Sequence, residues 1–293
     1  MEKSLSLITA IIPVFNRQEV IERSIRSVLA QTRLPLELLV VDDASTDRTC
    51  EIVERCFASH QTSVLCRLIR LEKNQGVSNA RNLAAREAQG SWLAFLDSDD
   101  EWLPEKLAWQ WQKHEENALW PLIHGEEIWI RRGTFVNQKK IHKKSGGDQF
   151  ERSLQLCVIS PSATLLKKSV FFELGGFDND FPVCEDYDLW LKLTSLYEIG
   201  FVDLPIIKKY GGHEDQLSHA YRAMDYWRVL SQMRIYKLRP ELSSQKKQTL
   251  LQCVLEKSAV LLAGFEKHKN LEHYEEIAAA KDWAQRELSV FQC

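Results

Sequence analysis

As far as Asp100, the apolar positions of the chain alternate between two periods. Runs that are wholly or mostly apolar, Leu5 to Ile12, Glu37 to Val41, Val64 to Leu71 and Trp92 to Leu96, have the length and the β-branched and aromatic content of buried strands. Between them, Val20, Ile21, Ile25, Val28 and Leu29 recur at helical spacing. Thr46-Asp47 caps a second helix carrying Cys50, Ile52, Val53 and Phe57, and the turn Asn74-Gln75-Gly76 leads into a third, Val77 to Gln89. Pro13 is expected to interrupt the first strand, with Pro13 to Asn16 forming a turn. Alternation of short strands and helices predicts a parallel sheet with crossover helices. The strand ends then carry Asn16 and Arg17, Asp42 and Asp43, Asn74, and Asp97 to Asp100 to one common edge. In open α/β sheets that edge is where ligands bind.

Beyond Asp100 the pattern is less regular. Pro104 to Asn117 reads as a helix, Leu119 to Phe135 holds strand-like pieces, and Gln138 to Asp148 is a basic, glycine-containing loop. A short strand, Ser162 to Leu166, a helix, Lys167 to Leu174, and a turn, Gly175 to Asp178, precede a helix from Glu185 to Ser195. Two strand-like runs follow, Ile199 to Leu204 and Ile206 to Tyr210. From Tyr221 the strand signal disappears, and Ala223 to Arg239, Gln245 to Phe265 and Leu271 to Phe291 read as packed helices. The expected organisation is an α/β domain over 1–220 and a helical extension over 221–293.

Composition narrows the function classes. The chain has 293 residues, 44% hydrophobic and 27% charged, enough to bury a sizeable core. A net charge of -3 provides no electrostatic footprint for nucleic acid. Seven cysteines, an odd number without a C-x-x-C pair, fit neither a zinc site nor a disulfide framework and point to a reducing compartment. The N-terminus lacks a basic region and a small-residue cleavage site, so no signal peptide is expected. No apolar run approaches the ~18–20 residues that span a bilayer. The expectation is a cytoplasmic protein, with peripheral contact at the inner face of the membrane.

The chemistry concentrates in Asp97, Asp99 and Asp100. Three acids at a strand end repel one another and are held by a divalent cation, by protonation of one of them, or as a helix cap with solvated charge. An EF-hand starting at Asp97 would need Gly and Glu where Trp102 and Ala108 stand. Neither a P-loop nor a G-x-G-x-x-G fingerprint is present. An aspartyl-phosphate phosphatase would carry Thr or Val shortly after its second Asp, where Asp100-Glu101 follow here.

Four motifs occur in order: Pro13-Val14-Phe15-Asn16-Arg17, Val41 to Asp47, Asn74 to Asn82, and Phe95-Leu96-Asp97-Ser98-Asp99-Asp100. Together they resemble the nucleotide-sugar glycosyltransferases of family 2, with the GT-A fold. Gly175-Gly176-Phe177-Asp178 and Glu185-Asp186-Tyr187-Asp188-Leu189-Trp190 fit the same pattern, which covers roughly residues 5 to 220. The resemblance implies a Rossmann-like, mostly parallel sheet flanked by helices. It implies an inverting, metal-dependent transfer of sugar from a nucleotide donor, UDP-linked, to a hydroxyl of a glycan or lipid-linked saccharide.

By the same resemblance, Asp43 accepts a hydrogen bond from the base, Pro13 and Phe15 lie beside the nucleoside, and Arg81 lies near the pyrophosphate or donor sugar. Asn16 and Asn74 join the donor-binding edge. Asp97 or Asp99 meets ribose or sugar hydroxyls, while Asp99 and Asp100 hold Mn2+ or Mg2+; His213 completes the metal shell or binds a phosphate, against the alternative of a solvated loop histidine. Asp186 matches the general base, against the alternative of simple capping at a helix start. Asp42 reads as a structural acid bonding nearby backbone. Two other classes compete: a non-catalytic nucleotide-sugar-binding scaffold or sensor, and a nucleotidyltransferase. The latter would open with a Gly-rich, Arg-containing loop, which Pro13-Val14-Phe15-Asn16 does not supply.

Overall fold

A computed structural model describes residues 7–212 and 223–291. The chain begins β1 (Ile8–Val14), α1 (Ile21–Leu29), β2 (Glu37–Asp42), α2 (Thr49–Ser59), β3 (Leu65–Arg70), α3 (Val77–Glu87) and β4 (Trp92–Phe95). Then come β5 (Glu101–Trp102), α4 (Lys106–Glu116), β6 (Leu122–Arg131), β7 (Thr134–Val136), α5 (Phe150–Gln155), β8 (Leu165–Lys167) and α6 (Lys168–Glu173). The rest is α7 (Glu185–Leu196), β9 (Gly200–Gly211), α8 (Asp225–Leu238), α9 (Ser244–His268) and α10 (Tyr274–Ser289). The described residues fall into two compact units: 7–147, 159–179 and 198–212 form the first, and 148–158, 180–197 and 223–291 the second.

The first unit is one sheet in the order β3-β2-β1-β4-β8-β6-β9-β5, with β7 paired to β6. Its N-terminal half is the expected parallel array, β3-β2-β1-β4. The chain departs from β1 to β2 on one side and reaches β4 on the other. The topological switch point therefore lies between β1 and β4, where a crevice opens beyond the strand ends. The other half is mixed: β8 runs antiparallel to β4 and β6, β9 is parallel to β6, and β5 is antiparallel to β9. Every residue of β1, β2 and β4 is buried, as near-continuous apolar runs in a parallel sheet require.

Three expectations are corrected. Pro13 does not end β1, which runs on to Val14 with Pro13 opposite Val41. The Ile11 carbonyl faces β4, accepting from Leu96, and by alternation Pro13 faces the same side. Ladder pairing with β4 stops at Ile11 and Phe95, so the missing N–H of Pro13 costs no ladder bond. The two runs at 199–204 and 206–210 are one strand, β9. Its register against β6 shifts around Glu126, which pairs with Pro205, and this irregularity absorbs the proline. Gly125 permits the close approach, since a Cβ there would stand 2.7 Å from Ile206 Cδ1. Finally, β8 starts at Leu165, because Pro161–Ala163 is a 3-10 turn.

The second unit has its own apolar core, in which Phe150 and Leu154 of α5 and Tyr187 and Leu191 of α7 join Val229, Leu250, Val254 and Ile277. Helix α5 has no counterpart in the sequence reading. Its six residues, FERSLQ, are too short to display a period. No disulfide joins the six described cysteines, and no described helix is long and apolar enough to cross a membrane.

Candidate active site

The loops that follow β1 and β2 are stitched into one rim. Asp42 Oδ2 accepts the Ser45 N–H at 3.1 Å, the local turn expected of a structural acid. Asn16, held at φ 51°, donates its N–H to Ser45 Oγ (2.8 Å), and its side-chain Oδ1 accepts from the Thr46 N–H (2.8 Å). The Arg17 N–H donates to Thr49 Oγ1 at 2.8 Å. Pro13 is buried at the base of this rim, whereas Phe15 is 40% exposed on it.

Asp43 joins the rim to the loop after β3. Its Oδ1 accepts from the Gln75 N–H and its Oδ2 from the Gly76 N–H, both at 2.8 Å. Gly76 has φ 87°, a conformation open to glycine that lets two successive amides point at one carboxylate. Asn74 stays exposed on the same turn.

The acids beyond β4 sit in a dense polar setting. Arg81 of α3, almost fully buried, reaches Asp97 Oδ1 at 2.6 Å, and its guanidinium lies 4.9 Å from the Phe177 ring centroid. Burial alone would raise Asp97, but Arg81 and Lys209 outweigh it and hold the carboxyl below the usual range. The Asp100 N–H donates to the Asp97 carbonyl, closing the turn. Arg23 donates to the Asp99 carbonyl and stacks 3.7 Å above the Tyr210 ring centroid. Ser24 Oγ lies 2.8 Å from the Ser98 carbonyl and 2.7 Å from that of Asp100.

Asp100 and Asp99 differ sharply. Asp100 is 1% exposed, and both of its oxygens are engaged: Ser162 Oγ donates to Oδ2 at 2.7 Å, and the Tyr210 N–H to Oδ1 at 3.0 Å. Burial, reinforced by the neighbouring Asp97 and Asp99 charges, pushes the Asp100 carboxyl well above the usual range, against the pull of Lys209. Asp97 and Asp99 retain partial exposure. Arg23, Ser24, Ser162, Lys209 and Tyr210 were not foreseen as partners. The sequence offers one signal for the last two: the basic, aromatic end of β9 at Lys208-Lys209-Tyr210, directly after an apolar stretch.

Lys209 also belongs to a second charged group. Glu127 of β6 is buried, ion-paired to buried Lys144 at 2.6 Å, and accepts from Trp129 Nε1 at 2.9 Å. Burial would raise its carboxyl, but Lys144 and Lys209 bring it down to about 2. Among the described residues, no three His, Cys, Asp or Glu side chains gather as a metal cage. His213 lies outside the described residues.

Asp186 belongs to the second unit, in the first turn of α7. Residue Cys184, just before the helix, adopts φ 63°, a left-handed conformation that costs a non-glycine residue of order 1 kcal/mol. Asp186 is partly exposed, accepts the Tyr187 N–H on Oδ1 (2.7 Å) and faces the Cys157 thiol across 3.3 Å at Oδ2. Its neighbours are buried: Glu185 is 8% exposed and Asp188 0%. Asp188 is engaged by Lys192 Nζ at 2.6 Å and Ser231 Oγ at 2.8 Å. Trp190 is core, 1% exposed.

Comparison with known proteins places this geometry. The family described as Glycosyl transferase family 2 matches residues 9–175. A relative from Escherichia coli, the UDP-Glc:alpha-D-GlcNAc-diphosphoundecaprenol beta-1,3-glucosyltransferase WfgD, is 32% identical over 204 residues, covering 69% of this chain and 75% of its own. The chain spans only 32% of the length of the uncharacterized Rickettsia conorii glycosyltransferase that it also matches. Among solved structures, S. aureus TarS 1-349 in complex with UDP-GlcNAc superposes with a TM-score of 0.66 at 17% identity, covering 96% of this chain and 92% of that one. The mannosyltransferase PcManGT from Pyrobaculum calidifontis, in complex with GDP-Man and Mn2+, gives 0.59 at 18% identity, covering 96% and 86%. These two structures bear out the GT-A arrangement expected for the fold, and by the match over its N-terminal half and beyond, the chain belongs to glycosyl transferase family 2.

Proposed function

We propose that this protein is an inverting glycosyltransferase that moves a sugar from a UDP-linked donor to a hydroxyl of a lipid-linked saccharide, with Mn2+ or Mg2+ as cofactor. The observation that carries this reading is the Arg81–Asp97 pair standing beside partly exposed Asp99 beyond the β1/β4 switch point. The activity for which the WfgD relative is named supports the UDP donor and the diphospholipid-linked acceptor. Residues 1–220 are read as the catalytic region and 221–293 as its helical extension, at work on the cytoplasmic face of a membrane.

The rim holds the nucleoside. Each oxygen of Asp43 spends one lone pair on a backbone amide and keeps another for a base N–H. Phe15 offers an exposed ring beside Pro13, and Asn16 and Asn74 border the same edge. Arg81 keeps Asp97 charged and fixed, so that its remaining oxygen accepts from donor hydroxyls. Asp99 is the carboxylate best placed for a hard cation, since Asp100 is committed to Ser162 and Tyr210. A partly exposed carboxylate suits an ion that shares its coordination with water and substrate phosphates, as Mg2+ commonly does. When bound, that ion would stabilise negative charge on the leaving diphosphate.

Asp186 is the general base. It takes the proton of the acceptor hydroxyl as that oxygen forms its bond to the anomeric carbon and the bond to the diphosphate breaks. Attack opposite the leaving group inverts the anomeric centre. The test is a panel of nucleotide sugars assayed for binding and hydrolysis with Mn2+, with Mg2+ and with EDTA. A UDP-sugar should bind and turn over with a divalent cation and lose turnover in EDTA; silence across the panel overturns the reading.

A further inference from the structure

The segment 128–147 has a charge balance unlike the rest of the molecule. The chain holds 38 Lys and Arg against 41 Asp and Glu, yet this stretch contains six of the former and none of the latter. It is built around the β6–β7 hairpin, whose register sets Ile130 opposite Phe135 and Arg131 opposite Thr134. The two-residue turn is Arg132-Gly133, with φ 48° and 74°, the positive pair typical of a tight primed turn. The chain then folds back: the ring of His142, in the 3-10 turn Lys140–His142, stands 5.3 Å from that of Trp129 on β6. This contact sets the Lys139–Ile141 stretch beside the hairpin.

The outcome is a projecting surface with exposed Arg131, Arg132, Lys139 and Lys140, none of which has an acidic partner among the described residues. Two large apolar side chains stand exposed with them, Phe135 at 62% and Ile141 at 58%. Lys144, by contrast, is consumed internally by Glu127. Unpaired cations around solvent-facing apolar side chains match the interface of an anionic bilayer, where lipid phosphates meet acyl chains. An acidic protein surface would satisfy the cations alone and leave Phe135 and Ile141 without a role. The surface is also continuous with the candidate site, because β6 from Ile128 to Arg131 pairs with Lys208 to Gly211 of β9. That stretch of β9 supplies Tyr210 to Asp100.

We propose that the β6–β7 hairpin and the loop behind it dock this protein onto a membrane surface bearing anionic phospholipid. This goes beyond the transferase reading and stands or falls separately, because its test needs no turnover.

The experiment is co-sedimentation of the full chain with phosphatidylcholine vesicles, with and without phosphatidylglycerol. The protein should pellet with the anionic vesicles, stay in solution with the neutral ones, and be released by raised salt. Each exposed cation contributes several-fold to partitioning, so Arg132→Gln/Lys139→Gln/Lys140→Gln should weaken it by roughly 100-fold. Phe135→Ser should weaken it by about tenfold while leaving the salt response intact. UDP affinity should be unchanged in both variants. The salt titration of the unaltered protein serves as the test if the triple variant does not fold. Equal pelleting with neutral vesicles, no pelleting at all, or full pelleting of a folded triple variant overturns the proposal. Retention on an acidic protein or a soluble polyanion without vesicle binding also overturns it, in favour of that partner.

Discussion

Two acid triplets, Asp97-x-Asp99-Asp100 beyond β4 and Glu185-Asp186-x-Asp188 at the start of α7, use the same residue types at nearly the same spacing and are neutralised in different ways. In the first, the deeply buried member is Asp100, whose two oxygens accept from a hydroxyl and a backbone amide. Its carboxyl is pushed well upward by burial and by its acidic neighbours. In the second, buried Asp188 has an ion-pair partner on its own helix, Lys192, one turn on. Each triplet thus gives one acid to the architecture and keeps a partly exposed one, Asp99 or Asp186. Sequence spacing alone does not separate these roles. What separates them is which carboxylate the local packing covers.

The sharpest way to break the comparison is Asp186→Asn. Transfer should fall by about 10²–10⁴-fold while donor affinity is kept. Titration of UDP binding beside single-turnover transfer measures both, and unimpaired transfer would return Asp186 to a capping role. Next in size is Asp188→Asn, which leaves Lys192 without its counter-charge. Lys192 keeps 11% exposure, so the loss should be about 2–3 kcal/mol, below that of a fully buried pair. Urea unfolding of the variant reads this directly; a difference under about 0.5 kcal/mol would show that Asp188 is not the structural member. Third is Asp99→Ala, expected to weaken Mn2+-dependent UDP binding by roughly tenfold, about 1.4 kcal/mol, with little change in folding stability. Isothermal titration with and without the cation checks it, and unaltered affinity removes Asp99 from the metal site.

How far the sequence carried this division can be followed residue by residue. The parallel half was legible because its strands are buried on both faces and so appear as apolar runs, and because Asp42, Asp43 and Asp97 mark their ends. Asp42 bonds the Ser45 amide as its turn-forming habit suggests. The mixed half was only partly legible. A two-residue strand such as β5 has no period, and β9 hid its continuity behind Pro205. The partners that decide the acids' roles were hidden for a different reason. Ser162 comes from a 3-10 turn far along the chain, and Lys209 looks like an ordinary surface lysine until β9 is paired with β5, directly after the acids that follow β4. Buried Lys106 is a similar case. It reads as a helix-start lysine, yet its ammonium donates to Gln110 Oε1 and the Thr164 carbonyl.

The smallest expected effect is also the most discriminating between the triplets. Asp100→Asn keeps the shape of a protonated carboxyl: its amide oxygen can accept from the Tyr210 N–H, and its amide nitrogen can donate to Ser162 Oγ. A carboxyl raised on folding binds its proton more tightly in the folded state. Its contribution is therefore fully present below the unfolded value near 3.9 and is lost as pH rises through the folded value, at up to about 1.4 kcal/mol per pH unit. The Asn variant has no such loss. Its stability should match the unaltered protein within about 0.5 kcal/mol near pH 4 and equal or exceed it near pH 8. Asp188→Asn should instead be the less stable protein at pH 8, because it removes the ion pair with Lys192 and not only a hydroxyl contact. Paired urea unfolding curves at the two pH values make the comparison. If Asp100→Asn is instead the less stable protein at pH 8, Asp100 is ionised in the fold, and the two triplets hold their buried acids in the same way after all.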